Sequence, residues 1–241
     1  MVRRRDNRAF DQLRPVKFTR NFTKNADGSV LVEFGDTKVL TTAKIEERVP
    51  AFLMGKGEGW ITAEYSMLPG STLVRSVREV TRGQPSGRTN EIQRLIGRTL
   101  RAVVDRRAMG ERTITIDCDV LQADAGTRCA SITGGFLALH DAMRKLQKSL
   151  MWDSLPISEH MAAVSICQVK GELVLDPNYQ EDSQAEMDSN IVLTESGKIL
   201  EIQISAESKP YEAAKMTELL TLAEKGIKEI IEAQFEAIGG R

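Results

Sequence analysis

The apolar positions of the chain change their period several times, and each change marks an element. Gly28-Ser29-Val30-Leu31-Val32-Glu33-Phe34 alternates in the two-residue rhythm of a half-buried strand. The alternation breaks at Gly35-Asp36 and resumes over residues 38–45, which predicts a β-hairpin with an Asp-centred turn. Residues 55–60, Gly-Lys-Gly-Glu-Gly-Trp, read as a loop, and so does the stretch 69–87. Near Thr89 the period becomes 3.6, with Ile92, Leu95, Ile96, Leu100, Val103 and Val104 on one stripe. An amphipathic helix is expected there, with Arg94, Arg98 and Arg101 mostly off the stripe on a basic face. Strand alternation returns over 113–120, and a second helix is expected over 130–150, after a Gly-Thr-Arg turn. Two further hairpins follow, 162–170 with 172–176 around Gly171, and 191–194 with 198–205 around Ser196-Gly197. A last helix carries Met216, Leu219, Leu220, Ala223, Ile227 and Ile230 on one side.

The order of strands followed by helices occurs twice, which implies an α+β architecture rather than a regular βαβ sheet. The halves are set at 1–150 and 151–241, with no long linker and no short tandem repeat between or within them. With 241 residues, 41% hydrophobic and 28% charged, a packed core is affordable and global disorder is excluded. No apolar run approaches the roughly 18 residues needed to span a bilayer. Residues 1–8 are basic without the apolar block of a secretory signal. Cys118, Cys129 and Cys167 are too widely spaced for a disulfide framework or a zinc ribbon. These traits set the expectation of a soluble, cytoplasmic protein.

The net charge of -1 conceals an asymmetry. Residues 72–112 hold ten arginines, no lysine and four acids, whereas residues 172–241 hold fifteen acids and six bases. An arginine-only cationic segment suits phosphate, because a planar guanidinium engages two phosphate oxygens at once. Ordinary surface and subunit-contact charges are the other reading. Among catalytic schemes, a histidine-rich metal site is excluded, since only His140 and His160 exist. There is no Gly-x-Ser-x-Gly elbow and no Walker-type phosphate loop. His140 lies among Leu137, Ala138, Leu139 and Ala142, where packing or capping is its expected role.

Two constellations remain. Arg88 stands just before an expected helix start, and Gly126-Thr127-Arg128 precedes the second helix. Backbone amides and the helix dipole there, with the Thr127 hydroxyl and both guanidinium groups, would form a pocket for a tetrahedral oxyanion. Simple helix capping is the alternative. The other constellation is acidic, Glu181-Asp182-Ser183-Gln184-Ala185-Glu186-Met187-Asp188, with Asp182 and Asp188 six apart. Such a cluster can hold a divalent cation or keep one carboxyl protonated for proton donation; a solvated acidic loop is the alternative.

On these residues the chain resembles the ribonuclease PH family, and most closely its bacterial, phosphate-dependent tRNA-trimming members. The matching blocks include Asp11-Gln12-Leu13-Arg14-Pro15, Gly57-Glu58-Gly59-Trp60-Ile61-Thr62-Ala63-Glu64-Tyr65-Ser66-Met67-Leu68-Pro69, Gly87-Arg88-Thr89-Asn90-Glu91, Asp117-Cys118-Asp119-Val120-Leu121-Gln122-Ala123-Asp124-Ala125-Gly126-Thr127-Arg128 and Glu181-Asp182. The resemblance implies two halves of the ribosomal-protein-S5-like type packed as one unit, and a phosphorolytic 3′-to-5′ exoribonuclease, reversible as a nucleotidyltransferase. It implies inorganic phosphate as co-substrate at Arg88, Gly126, Thr127 and Arg128, with catalysis and Mg²⁺ binding at Asp182 and Asp188. It implies precursor tRNA and other structured RNA 3′ ends as partners, and a homo-oligomer in the form of a hexameric ring, a trimer of dimers. Arg75, Arg78, Arg82, Arg94, Arg98 and Arg101 are then expected to follow the RNA backbone or to touch a neighbouring subunit. A ring-forming, non-catalytic RNA-channel subunit of an exosome-like assembly is the competing class, and a hydrolytic nuclease a third. The chain departs from the family pattern at Gly70, where arginine is usual, at Asn178, where aspartate is common, and at Gln184, where a small residue is usual. If Asn178 faces the metal, its binding is expected to weaken.

Overall fold

The computed structural model describes residue 4 and residues 6–208 and 210–240, apart from the side chains of residues 80 and 82. Two sheets organise it. The first has the order β1-β2-β3-β5-β4, formed by β1 (Val16–Arg20), β2 (Gly28–Phe34), β3 (Thr37–Glu46), β4 (Trp60–Met67) and β5 (Thr113–Gln122). Its neighbours are antiparallel except β4 and β5, which run parallel from Trp60↔Thr113 to Met67↔Val120. Parallel neighbours require a crossover, and helix α1 (Gly87–Ala102) lies on that connection. Helix α2 (Thr127–Leu150) follows β5. The second sheet is antiparallel, in the order β7-β6-β8-β9, from β6 (Met161–Val169), β7 (Glu172–Leu175), β8 (Met187–Thr194) and β9 (Ile199–Ala206). The four-residue helix α3 (Tyr179–Asp182) links β7 to β8, and α4 (Met216–Ile238) ends the described fold.

The central element is α2. Ala130, Ile132, Phe136, Leu137, Leu139 and Met143 are all fully buried although they point in different directions around the helix. A helix apolar all round must be enclosed, and α2 packs against β2, β3 and β5 on one side and against β6 and α1 on others. Glycine permits the closest approach: a side chain at Gly28 would collide with the Ala138 carbonyl of α2. Helix α4 buries Leu219, Ala223, Ile227, Ile230 and Ile231 and packs against β6 and β1. One apolar cluster therefore runs continuously through both sheets, from Val30 and Phe34 to Ile191 and Ile230.

The α+β expectation, the hairpins and the three long helices hold, with changes at their ends. Strands β1 and β4 and helix α3 lie where no regular element was expected. Helix α1 starts at Gly87, because the Ser86 side chain accepts the Thr89 amide as N-cap. Helix α2 starts at Thr127 rather than at 130, and β8 starts at Met187 rather than at 191. His140 is buried in α2 with its ring beside that of His160, as the packing reading expected. The three cysteines are free and buried. Among the described residues, no helix is long and apolar enough to cross a membrane.

Candidate active site

Asp124, Ala125 and Gly126 carry the chain from β5 into α2. Ala125 (φ 60°) and Gly126 (φ 65°) are both left-handed. Glycine takes that conformation without strain, and alanine holds it at a cost of roughly 1–3 kcal/mol that surrounding contacts must offset. Those contacts are visible. The Thr37 hydroxyl donates to the Ala125 carbonyl at 2.6 Å and accepts the Asp124 amide at 3.0 Å. From the other side Arg14 donates to the Asp124 carbonyl, while its Nη2 and Nε bind the Asp176 carboxylate at 2.6 and 3.0 Å. Burial alone would lower the Arg14 pKa, but the Asp176 carboxylate outweighs it and holds the guanidinium above its ordinary value.

The turn delivers α2 with its first N–H groups bare. Gly126 is the N-cap, and among the described residues no side chain caps the helix and no acid sits in its first turn. Unpaired amides and the positive end of the macrodipole are suited to an anion. They open into a cavity of about 210 Å³ lined by Arg88, Gly126, Thr127, Arg128, Asp182 and Asp188. The structure thus brings together every residue expected to hold phosphate and both aspartates. Arg88 lies within the first turn of α1 rather than before it. Arg128 is fixed by Gln203 of β9, to whose Oε1 its Nη1 donates at 2.7 Å, and Gln203 in turn donates to Glu91 of α1 at 3.1 Å.

The two aspartates reach the cavity from different elements. Asp182 ends α3 and Asp188 lies in β8. Asp188 accepts from the Ser165 hydroxyl at 3.4 Å and from Asn190 Nδ2 at 3.3 Å. Burial and then the Asp188 charge push the Asp182 carboxyl above its ordinary value, against the pull of Arg88, Arg128 and Arg14. A carboxyl perturbed by desolvation and by a second carboxylate, inside a cleft, is a functional-site candidate. The donor set also fits Mg²⁺, which is usually bound by one or two carboxylates together with waters and substrate phosphate oxygens. Asp182 and Asp188 are the carboxylates that line the cavity and would be the protein donors for Mg²⁺.

Other expected residues are placed elsewhere. Glu181 turns away from the cavity to an ion pair with Arg4 at 2.8 Å. Asn178 does not face the carboxylates: its side chain accepts the Glu181 amide at 3.1 Å and Glu181 accepts the Asn178 amide at 3.0 Å, a capping box for α3. Asparagine and aspartate cap equally well, so this departure leaves the helix that carries Asp182 in place. The space around Gly70 is open. Arg75, Arg78 and Arg94 are exposed. Arg98 pairs with Glu201 of β9 at 2.7 Å. Arg101 donates to the Ile61 carbonyl at 2.7 Å and lies 4.3 Å over the Trp60 ring. Both therefore fasten α1 to its neighbours. The side chain of Arg82 lies outside the described residues.

The sequence reading missed Tyr65, Arg14, Ser165, Asn190 and Gln203. Only Tyr65 left a periodic signal, as the inward member of an Ala63-Glu64-Tyr65 alternation; the others matter through contacts distant in the chain. A larger cleft of about 700 Å³ lies beside Arg8, Gln12, Asp36 and Glu229 and contains neither aspartate nor Arg88. The candidate residues therefore gather in the smaller cavity.

The chain matches the family model described as 3′ exoribonuclease family, domain 1, over residues 12–145, and that described as domain 2 over residues 160–226. Its fold is similar to that of the rice (Oryza sativa) protein Rrp46, with a TM-score of 0.78 at 18% identity over 96% of this chain and 98% of the other. It is similar to a chain of the Archaeoglobus fulgidus exosome with RNA bound to the active site, with a TM-score of 0.81 at 22% identity over 95% and 92%. An archaeal exosome core gives 0.77 at 22% identity over 96% and 91%. At such identities the likeness speaks for the fold.

Proposed function

The chain belongs to the RNase PH family of 3′ exoribonucleases, and on that premise we propose that it is a phosphorolytic 3′-to-5′ exoribonuclease that trims the 3′ ends of precursor tRNA and other structured RNA. The observation that carries this reading is the meeting of two helix starts, their guanidinium groups and two carboxylates in one cavity. A hydrolase has no use for a second anion pocket beside the scissile phosphate.

Inorganic phosphate sits against Arg88, Arg128, the Thr127 hydroxyl and the amides that follow Gly126. One of its oxygens attacks the terminal internucleotide phosphorus, the bond from phosphorus to the 3′ oxygen breaks, and the nucleoside diphosphate leaves. The departing 3′ oxygen takes a proton, for which Asp182, its carboxyl raised by burial, is the suited donor. Two anions must approach each other, so donors arranged in advance around the phosphorus lower an electrostatic barrier. Asp188, together with Asp182 in its ionised form, would hold Mg²⁺, which supplies neutralising charge when bound. A phosphoanhydride replaces a phosphodiester, so the reaction also runs backwards, adding nucleotides from diphosphates.

Arg75, Arg78 and Arg94, being exposed, are the side chains that would follow the RNA backbone or meet a neighbouring subunit of a hexameric ring, a trimer of dimers. The RNA-bound Archaeoglobus fulgidus relative supports an RNA substrate. A non-catalytic channel subunit would not be expected to retain Arg88, the Gly126-Thr127-Arg128 turn and both aspartates. A tRNA bearing extra 3′ nucleotides, incubated with and without phosphate, separates the readings. Nucleoside diphosphates formed only with phosphate are expected. Monophosphates would mean hydrolysis, and no product would mean a channel subunit.

A further inference from the structure

Tyr65 points inward from β4, is 3% exposed, and does not line the cavity. Its hydroxyl lies 2.9 Å from Thr127 Oγ1, which does line it. The two hydroxyls make one hydrogen bond, and its direction determines what Thr127 shows to an anion. If Thr127 donated to Tyr65, its lone pairs would face the cavity and repel a phosphate oxygen. If Tyr65 donates, the Thr127 hydrogen is free to point at the ligand. A phenol is a stronger acid than an aliphatic alcohol and the better donor of the two. An anion beside Thr127 reinforces that direction, because each hydroxyl in a donor chain polarises the next.

We infer that Tyr65 is a positioning residue for the anion pocket: its phenol donates to Thr127 Oγ1 and so aims the Thr127 hydrogen at an oxygen of the bound phosphate. The inference rests on the phosphate reading of the cavity. It makes that side of the pocket a pure donor surface, complementary to fully deprotonated oxygens. Tyr65 touches neither phosphate nor RNA, so its effect must pass through Thr127.

The test uses orthophosphate binding to the protein without RNA, by titration calorimetry, together with KM for phosphate and kcat. Tyr65→Phe keeps the ring and removes one hydrogen bond, so it should weaken phosphate binding about two- to tenfold and raise KM in step. Its kcat at saturating phosphate should stay near wild type, and its melting curve shows that it folds. Thr127→Ser keeps the hydroxyl and should keep the sensitivity to Tyr65→Phe. Thr127→Val should weaken binding by itself and make Tyr65→Phe silent in the double variant. A folded Tyr65→Phe protein that binds phosphate like wild type would overturn the inference. So would an undiminished Tyr65→Phe effect in the Thr127→Val background. Failure of the wild-type protein to bind phosphate would defeat the functional reading itself, which keeps the two failures apart.

Discussion

Replacing Asp176 with alanine should expose how much of the site rests on one buried ion pair. Asp176 accepts three hydrogen bonds from Arg14, from its amide at 2.8 Å, from Nε at 3.0 Å and from Nη2 at 2.6 Å. Both side chains are almost fully enclosed, at 5% and 4% exposure. The alanine variant keeps the guanidinium buried and takes away its main counter-charge, leaving the Asp124 carboxylate at 3.5 Å, a change that costs about 3–5 kcal/mol. In a protein of this size 1 kcal/mol moves the melting midpoint by about 2–4 °C, so a fall of about 6–20 °C is expected. Arg14 also holds the Asp124 carbonyl at the start of the anion-binding turn, so phosphate affinity should fall with stability. The double variant Arg14→Met with Asp176→Leu separates the effects. It removes both charges and should regain most of the midpoint, yet it lacks the clamp on the turn and should still bind phosphate weakly. Scanning calorimetry and phosphate titration read the two quantities. A midpoint for Asp176→Ala within about 2 °C of wild type would refute the strut.

Removing the guanidinium in Arg88→Ala should lower kcat by about 10²–10³, the loss of about 2.7–4 kcal/mol of transition-state stabilisation seen when one oxyanion donor is deleted; unchanged phosphate-dependent turnover would contradict the pocket. Asp182→Asn should lose activity but melt above wild type at pH 7. The folded protein holds the Asp182 proton more tightly than the unfolded chain, whose value is 3.8, so ionisation costs stability as pH rises above that value. The gain from asparagine should accordingly vanish as pH falls towards 4, which melting curves across that range would show. If Arg75, Arg78 and Arg94 each meet one RNA phosphate, tRNA affinity should drop about 20- to 40-fold between 50 and 200 mM salt. A flat salt profile would remove that assignment.

Much of this arrangement was legible from pattern. The stripe Ile92, Leu95, Ile96 and Leu100 and the hairpin at Gly35-Asp36 are local signals, and local signals set the long helices and the antiparallel pairs. What escaped was non-local or short. Strand β4 shows alternation over Ile61, Ala63 and Tyr65, but its partner β5 lies some fifty residues further on, and a parallel pairing leaves no turn signature. Helix α3 is four residues long and exists through the capping box of Asn178 with Glu181, too little chain for a period to register. Strand β1 follows Pro15 and spans five residues. In the site, Arg88, Gly126, Thr127, Arg128, Asp182 and Asp188 stood out because residue type and family motif coincide there. Arg14, Tyr65 and Gln203 act by holding those residues in place, and that role depends on contacts the linear order hides. Asn178 shows the converse: a departure from the family pattern beside the acidic cluster turns out to hold the helix that carries Asp182.

Labelled orthophosphate tests the central claim most directly. With unlabelled precursor tRNA, the label should emerge in the β-phosphate of the released nucleoside diphosphate, one equivalent per nucleotide removed, because the attacking phosphate becomes that group. Label absent from the products, with nucleoside monophosphates released at the same rate whether or not phosphate is present, would contradict phosphorolysis at this cavity.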